Sequence, residues 1–196
     1  MIKKIAITGG IGSGKSLARK YIQEKGFPVF SCDEIYKELL KTKEFFIKIF
    51  AAFPNVCKDG QVDKRALAKE IFSDESKRQK LNSITHPLIM ERLMELMNEA
   101  KCVVFAEVPL LFEGNFEGLF DAILVIRRPI ADRIQSIQSR DGLSLEEAQR
   151  RIASQYNYDG EGAKEKLNAP NVFLIPNDKT KNDLKKEIEN WIKNYL

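Results

Sequence analysis

The stretch IAITGGIGSGKSLARK, residues 5–20, runs an apolar segment into a cluster of glycines that closes on Lys-Ser. Residues 9–16, GGIGSGKS, satisfy G-x-x-x-x-G-K-[ST], with strand-like sequence before them and helix-like sequence after. Side chains larger than hydrogen would hold a backbone away from a polyphosphate. Glycine lets successive N–H groups turn inward and grip it. The helix expected to begin near Gly14 adds the positive end of its dipole. Lys15 reaches toward β- and γ-phosphates, and the Ser16 hydroxyl is placed to hold Mg²⁺. Gly9, Gly10, Ile11, Gly12, Ser13, Gly14, Lys15, Ser16 and Leu17 therefore read as a nucleotide-binding phosphate loop. Leu17 lacks the hydroxyl that often follows this serine and offers its backbone N–H alone.

On either side of the loop the chain alternates strands and helices. Residues 2–8 end in a buried-strand pattern, and LARKYIQEKG reads as a helix stopped by Gly26. FPVFSC is a second short strand, and DEIYKELL opens another helix. Phe46, Ile49, Phe50 and Phe53 recur at helical spacing, as do Ile89, Leu93, Leu96 and Met97; both stripes read as core. The chain from about 34 to 100 is predicted to be wholly helical. CVVFAEV at 102–108, AILVI at 122–126 and NVFLI at 171–175 lack polar alternation, as strands covered on both faces do. Leu184, Ile188, Trp191, Ile192 and Tyr195 mark a closing amphipathic helix. This order predicts an α/β fold with a doubly wound parallel sheet whose ligands bind at the carboxyl ends of the strands.

The 196 residues, 43% hydrophobic and 31% charged, describe one compact globular domain. The formal charge of +4 comes from Lys and Arg interleaved with Asp and Glu. That argues against nucleic-acid binding and suits an anionic small molecule. Cys32, Cys57 and Cys102 are odd in number and lack a C-x-x-C pair, which argues against a disulfide framework or zinc site and fits a reducing compartment. Only four apolar or near-apolar residues separate MIKK from Gly9, too few for a signal-peptide core, and no run reaches membrane-spanning length. The expectation is a cytoplasmic protein with no membrane partner, a monomer or small homo-oligomer.

A phosphate loop serves kinases and nucleotide switches alike. TKND at 180–183 matches the [NT]-K-x-D pattern of guanine readout, but it falls where the last helical stripe is already forming. The one D-x-x-G, DGEG at 159–162, has no strand before it, so the kinase reading is favoured. A kinase needs a group that orients the attacking hydroxyl. Asp33, just past the second strand, can accept that proton, or it can simply cap the helix that follows, where Ser31 and Glu34 form a capping-box pattern. Glu107 ends the third strand, as a carboxylate holding water on Mg²⁺ or as an ordinary loop residue. Arg127, Arg128, Arg133, Arg140, Arg150 and Arg151 crowd the segment after the fourth strand. With Gly142 as a helix stop and SLEE at 144–147 as a capping box, two short helices read as a lid over phosphates or as a solvated surface hairpin.

Taken together, ITGGIGSGKS, SCDEIYKELL, ITHPLI, VPLLFEG, QSRDGLSLEEAQRRIASQ and NDKT resemble, in order, the dephospho-coenzyme A kinases. The resemblance implies a P-loop kinase fold with a five-stranded parallel sheet. It implies a core of residues 1–33, 101–127 and 170–196, a helical acceptor-binding insertion at about 34–100 and a lid at about 128–165. It implies ATP-dependent, Mg²⁺-assisted phosphorylation of the ribose 3′-hydroxyl of dephospho-coenzyme A, the last step of coenzyme A synthesis. Asp33, Lys15 and Arg140 become the expected catalytic residues, with Arg140 delivered by the lid. Asp33, His86, Pro109 and Leu110 become the expected acceptor site, although His86 before Pro87 also suits a helix start. Two departures stand out: Glu107 where the family often has Asp, and NDKT where it usually has Asn followed by a glycine-containing turn.

Overall fold

The computed structural model describes residues 3–58, 60–72 and 74–196, with the side chains of residues 58 and 72 left out; Ile2, expected in the first strand, lies outside the described residues. The chain forms two compact units, one containing residues up to Val29 and from Ala100 onward, the other Phe30–Glu99.

In the larger unit, β1 (Lys4–Thr8) leads through the glycine-rich loop into α1 (Lys15–Glu24). Gly26, at φ 86°, stops that helix, its N–H bonded to the Gln23 carbonyl at 2.9 Å. The chain passes through β2 (Val29–Ser31) into the smaller unit. That unit holds α2 (Cys32–Leu39), α3 (Lys43–Ala52), the two-residue strands β3 (Cys57–Lys58) and β4 (Gln61–Val62), α4 (Lys64–Phe72) and the long α5 (Glu75–Glu99). The chain returns through β5 (Val104–Glu107) and β6 (Ala122–Arg127), then α6 (Ile130–Asp141), α7 (Leu145–Ala153), α8 (Lys164–Leu167), β7 (Val172–Pro176) and α9 (Lys181–Tyr195).

The main sheet is five-stranded and parallel in the order β2-β5-β1-β6-β7. Ile5 stands beside Phe105 on one side and Ala122 on the other, and Ile126 stands beside Ile175. Ile5, Ile7, Phe105, Leu124 and Ile126 share a core with Ala18 and Ile22 of α1 and with Leu184, Ile188 and Trp191 of α9. The intervening Ala6, Ile123 and Val125 point to the opposite face and are equally buried. Both faces are covered, which is why these strands read as unbroken apolar runs.

Two expectations for the smaller unit need correction. Residues 34–100 are not wholly helical, because β3 and β4 pair as an antiparallel hairpin with Cys57 opposite Val62. The buried stripe of α3 is Phe45 and Ile49, continued by Phe53, rather than the set containing Phe46 and Phe50. Phe46 and Phe50 stack on each other with centroids 5.9 Å apart, and Phe50 is half exposed. The i, i+4, i+8 row through Phe45 carries the core, and its neighbouring row stays outside. In α5, Leu93 and Met97 are fully buried. Leu93→Ala should destabilise the protein by ~2–5 kcal/mol in a denaturant titration, whereas a loss below ~1 kcal/mol would place Leu93 outside the core.

Candidate active site

The loop between β1 and α1 is built on an unavoidable geometric trade. Turning N–H groups toward a bound anion turns the carbonyls of the same segment outward, and each outward carbonyl needs a donor. The structure supplies one at every residue from 9 to 13. Lys15 Nζ donates to the carbonyls of Gly9 at 2.6 Å and Gly10 at 3.1 Å. Arg133 Nε donates to the Ile11 carbonyl at 2.9 Å, and Arg128 Nη1 to the Gly12 carbonyl at 3.3 Å. Asn177 Nδ2 donates to the Ser13 carbonyl at 2.7 Å. The Ile11 N–H, in turn, donates to Gln155 Oε1 at 2.6 Å.

Gly14 is the N-cap of α1, at φ 101°, where a side chain would be strained, and it provides no side-chain cap. The first turn also holds no acidic residue, so the positive end of the helix faces the loop without a carboxylate of its own. Gly10 is needed for space: a Cβ there would run into Nη2 of Arg133, which is 5% exposed. Burial, partly offset by the charge of Asp159, lowers the pKa of this guanidinium from its ordinary value.

Ser16 Oγ donates to Glu107 Oε1 at 3.0 Å, while Arg19 Nε lies 3.4 Å from Glu107 Oε2. Glu107 is 5% exposed at the end of β5. A serine hydroxyl beside a carboxylate is a hard oxygen pair of the kind Mg²⁺ prefers. Among the described residues no group of three or more His, Cys, Asp or Glu side chains gathers as a metal cage. The donors fit an ion that takes its remaining ligands from phosphates and water.

The remaining arginines divide. Arg127 pairs with Asp159, and Arg128 also bonds Ser136 Oγ at 2.7 Å. These two side chains, with Pro129, Pro176 and Asp178, border a cavity of about 420 Å³. Arg140, 62% exposed at the end of α6, is clamped on its own neighbour: Nε and Nη2 donate to the two Asp141 oxygens at 2.7 and 2.9 Å. Arg151 adds a third bond at 3.1 Å, and the Arg140 contact first of all holds the Asp141 carboxyl below its ordinary range. The hairpin itself is laid out as read: Gly142 stops α6 at φ 68°, and Ser144 with Glu147 forms a complete capping box on α7.

Other expected site residues lie elsewhere. Pro109 and Leu110 sit half-buried in the turn after β5. Asp33 and His86 belong to the smaller unit. Asp33 is exposed at the second position of α2, and the N-cap residue Ser31 makes no side-chain cap, so the anticipated Ser31–Glu34 capping box is absent. His86 and Pro87 lie in the interior of α5, which rules out the helix-start reading. Burial lowers the His86 pKa. Arg133, Gln155 and Asn177 are loop partners whose bonds sequence reading did not foresee: Arg133 was one of the arginines of the expected lid, and Asn177 opens the NDKT motif. Arg133 alone carried a usable signal, since it shares a helical face with the buried Ile137 four residues on.

TKND proves to be a helix start. Thr180 Oγ1 accepts from the Asp183 N–H at 3.2 Å, and the Asp183 carboxylate returns to Thr180, the reciprocal capping box of α9. This employment of Asp183 removes the one sequence pattern that suggested guanine readout.

A parallel sheet carrying this loop at its carboxyl edge is the architecture of the P-loop kinases. Residues 3–182 match the family model described as CoaE: Dephospho-CoA kinase, and the chain belongs to that family. A Fusobacterium nucleatum dephospho-CoA kinase is 34% identical over 191 residues, covering 95% of each chain. A crystal structure from Thermus thermophilus superposes with a TM-score of 0.81 at 30% identity, covering 100% of this chain and 98% of that one. The Campylobacter jejuni dephospho-CoA kinase gives a TM-score of 0.67 at 29% identity, over 99% and 97% of the two chains.

The crowding at Gly10 supplies a direct check on the loop. Gly10→Ala should displace Arg133 and lower phosphotransfer by ~10²-fold in a steady-state assay, with the fold retained by circular dichroism. Turnover equal to wild type would show that the close approach of Arg133 is dispensable.

Proposed function

We propose that this protein transfers the γ-phosphoryl group of ATP to the ribose 3′-hydroxyl of dephospho-coenzyme A, releasing ADP and coenzyme A. The observation that carries this reading is a phosphate loop with the carbonyls of residues 9–13 all satisfied, in a chain of the dephospho-CoA kinase family. Residues 9–17 hold the triphosphate, with Lys15 leaving the Gly9 and Gly10 carbonyls to meet the β- and γ-phosphates. Ser16, assisted by Glu107, would hold Mg²⁺, which would supply neutralisation of phosphate charge when bound. The adenine ring fits the cavity bordered by Arg127, Arg128 and Pro176, where flat guanidinium and apolar surfaces suit a purine.

Asp33 accepts the hydrogen bond of the attacking hydroxyl and takes its proton late in transfer, when charge has built on the incoming oxygen. Its exposure leaves the carboxylate open to a bound hydroxyl, and as a first-turn acid it also favours the start of α2. His86, Pro109 and Leu110 shape the acceptor site. The pantetheine arm, largely uncharged, suits the cavity of about 580 Å³ that Ile84, Pro87 and Leu88 line in the smaller unit. The α6–α7 hairpin acts as the lid: exchanging Asp141 for phosphate brings Arg140 onto the transferring group, and closure keeps water from taking the acceptor's place. Among the described residues no helix is long and apolar enough to cross a membrane. A cytoplasmic enzyme, acting as a monomer or small homo-oligomer, accords with soluble substrates of this kind.

Two experiments test the assignment. In an ADP-release assay run in parallel with dephospho-coenzyme A, adenosine, AMP and shikimate, only the first should stimulate turnover. Its analogue lacking the 3′-hydroxyl should be inert; phosphorylation of that analogue would move the reaction to another oxygen. Asp33→Asn should lower turnover by ~10²–10⁴ while ATP binding, measured calorimetrically, stays nearly constant. A fall below ~3-fold would remove Asp33 from the chemistry.

A further inference from the structure

Both legs of the α6–α7 hairpin hydrogen-bond the phosphate loop at Ile11. Arg133, in the first turn of α6, donates through Nε to the Ile11 carbonyl at 2.9 Å. Gln155, two residues beyond α7, accepts the Ile11 N–H at 2.6 Å. The Ile11 N–H belongs to the same peptide unit as the Gly10 carbonyl, and that carbonyl accepts both Lys15 Nζ and the Ser13 N–H, each at 3.1 Å. One planar amide thus carries the phosphate-seeking lysine at one end and the far leg of the hairpin at the other. A cation on the oxygen polarises the amide and strengthens donation from its nitrogen, so the two bonds reinforce each other. The neighbouring amide, Ile11–Gly12, carries the near leg through Arg133.

We propose that the Gly10–Ile11 peptide is the point through which the α6–α7 hairpin senses whether the loop is filled, and that Gln155 is the positioning residue on its far leg. When Lys15 leaves Gly10 for a phosphate, the amide loses the charge on its oxygen, and the bond from Ile11 to Gln155 loosens. The far leg is then free to move while Arg133 keeps the near leg in register, so closure becomes a rotation about the α6 end of the hairpin. Gln155 touches no reacting atom in this scheme; it acts through the main chain of Ile11. The inference rests on the reading of residues 9–17 as the ATP site.

Hydrogen exchange of the full chain tests it, with Mg²⁺ and a saturating ATP analogue that cannot be hydrolysed between its β- and γ-phosphates. In wild type the analogue should slow exchange both in residues 9–17 and in α7. In Gln155→Leu, which keeps the bulk and removes the acceptor, the loop should still be protected, while α7 is already released in the nucleotide-free variant and its response to the analogue falls by about fivefold or more. Gln155→Glu, which retains an acceptor at the same reach, should restore the α7 response. If Gln155→Leu does not fold, Gln155→Asn, one methylene too short, is read in its place. Equal α7 responses in wild type and the acceptor-less variant, or a Glu variant behaving like Leu, would overturn the coupling. Absence of loop protection in wild type would instead remove the ATP site itself.

Discussion

Five consecutive carbonyls, Gly9 to Ser13, each of which needs a donor, are the constraint from which the rest of the larger unit follows. Each one left without a donor would cost on the order of 1–3 kcal/mol where water is excluded. The donors come from four places: α1 through Lys15, the turn after β6 through Arg128, α6 through Arg133, and the turn after β7 through Asn177. Residues more than 160 positions apart in the chain therefore meet within one short turn, as Asn177 and Ser13 do. The loop holds its form only when the carboxyl edge of the sheet is assembled, so binding competence is tied to the fold.

Charge is distributed to match. Glu107 and Arg133 are the buried ionic side chains among the described residues, and neither is left to itself. Glu107 is shared by Ser16 and Arg19, and Arg133 meets a backbone carbonyl with the field of Asp159 behind it. Buried ions cost several kcal/mol unless compensated, and these two are compensated by groups of the loop and its helix. Glu107 beside Ser16 also gives a physical meaning to a glutamate in place of the shorter aspartate: the extra methylene brings the carboxylate to hydrogen-bond distance of the hydroxyl.

The loop and the sheet were legible because their signals are local. A glycine pattern between strand and helix, and apolar runs without alternation, each depend on a few adjacent residues. The site's partners were not legible because they are set by tertiary contact. Gln155 and Asn177 stand at the edges of motifs that resemble the family, but nothing local shows that their amides reach the loop, and Arg133 was one of six arginines in its segment. The antiparallel pairing of β3 with β4 was obscured because two-residue strands leave no periodicity. The stripe in α3 was half right, since a helix with aromatic residues on adjacent rows does not announce which row is inside. TKND is the reverse case: a pattern of four residues with a functional reputation, set aside because it falls where the last helical stripe begins, serves to start α9.

The aromatic cluster under α9 also makes the larger unit optically distinct. Trp191 is the sole tryptophan of the sequence, 8% exposed, stacked on Tyr195 at 4.7 Å and set edge-on to Phe105 and Phe173. Its indole N–H has no partner among the described residues, and residues 30–99 hold one tyrosine and no tryptophan. Intrinsic fluorescence excited at the indole band is therefore a private channel to the nucleotide-loop half of the molecule. Melting of the helical half alone would pass in the dark.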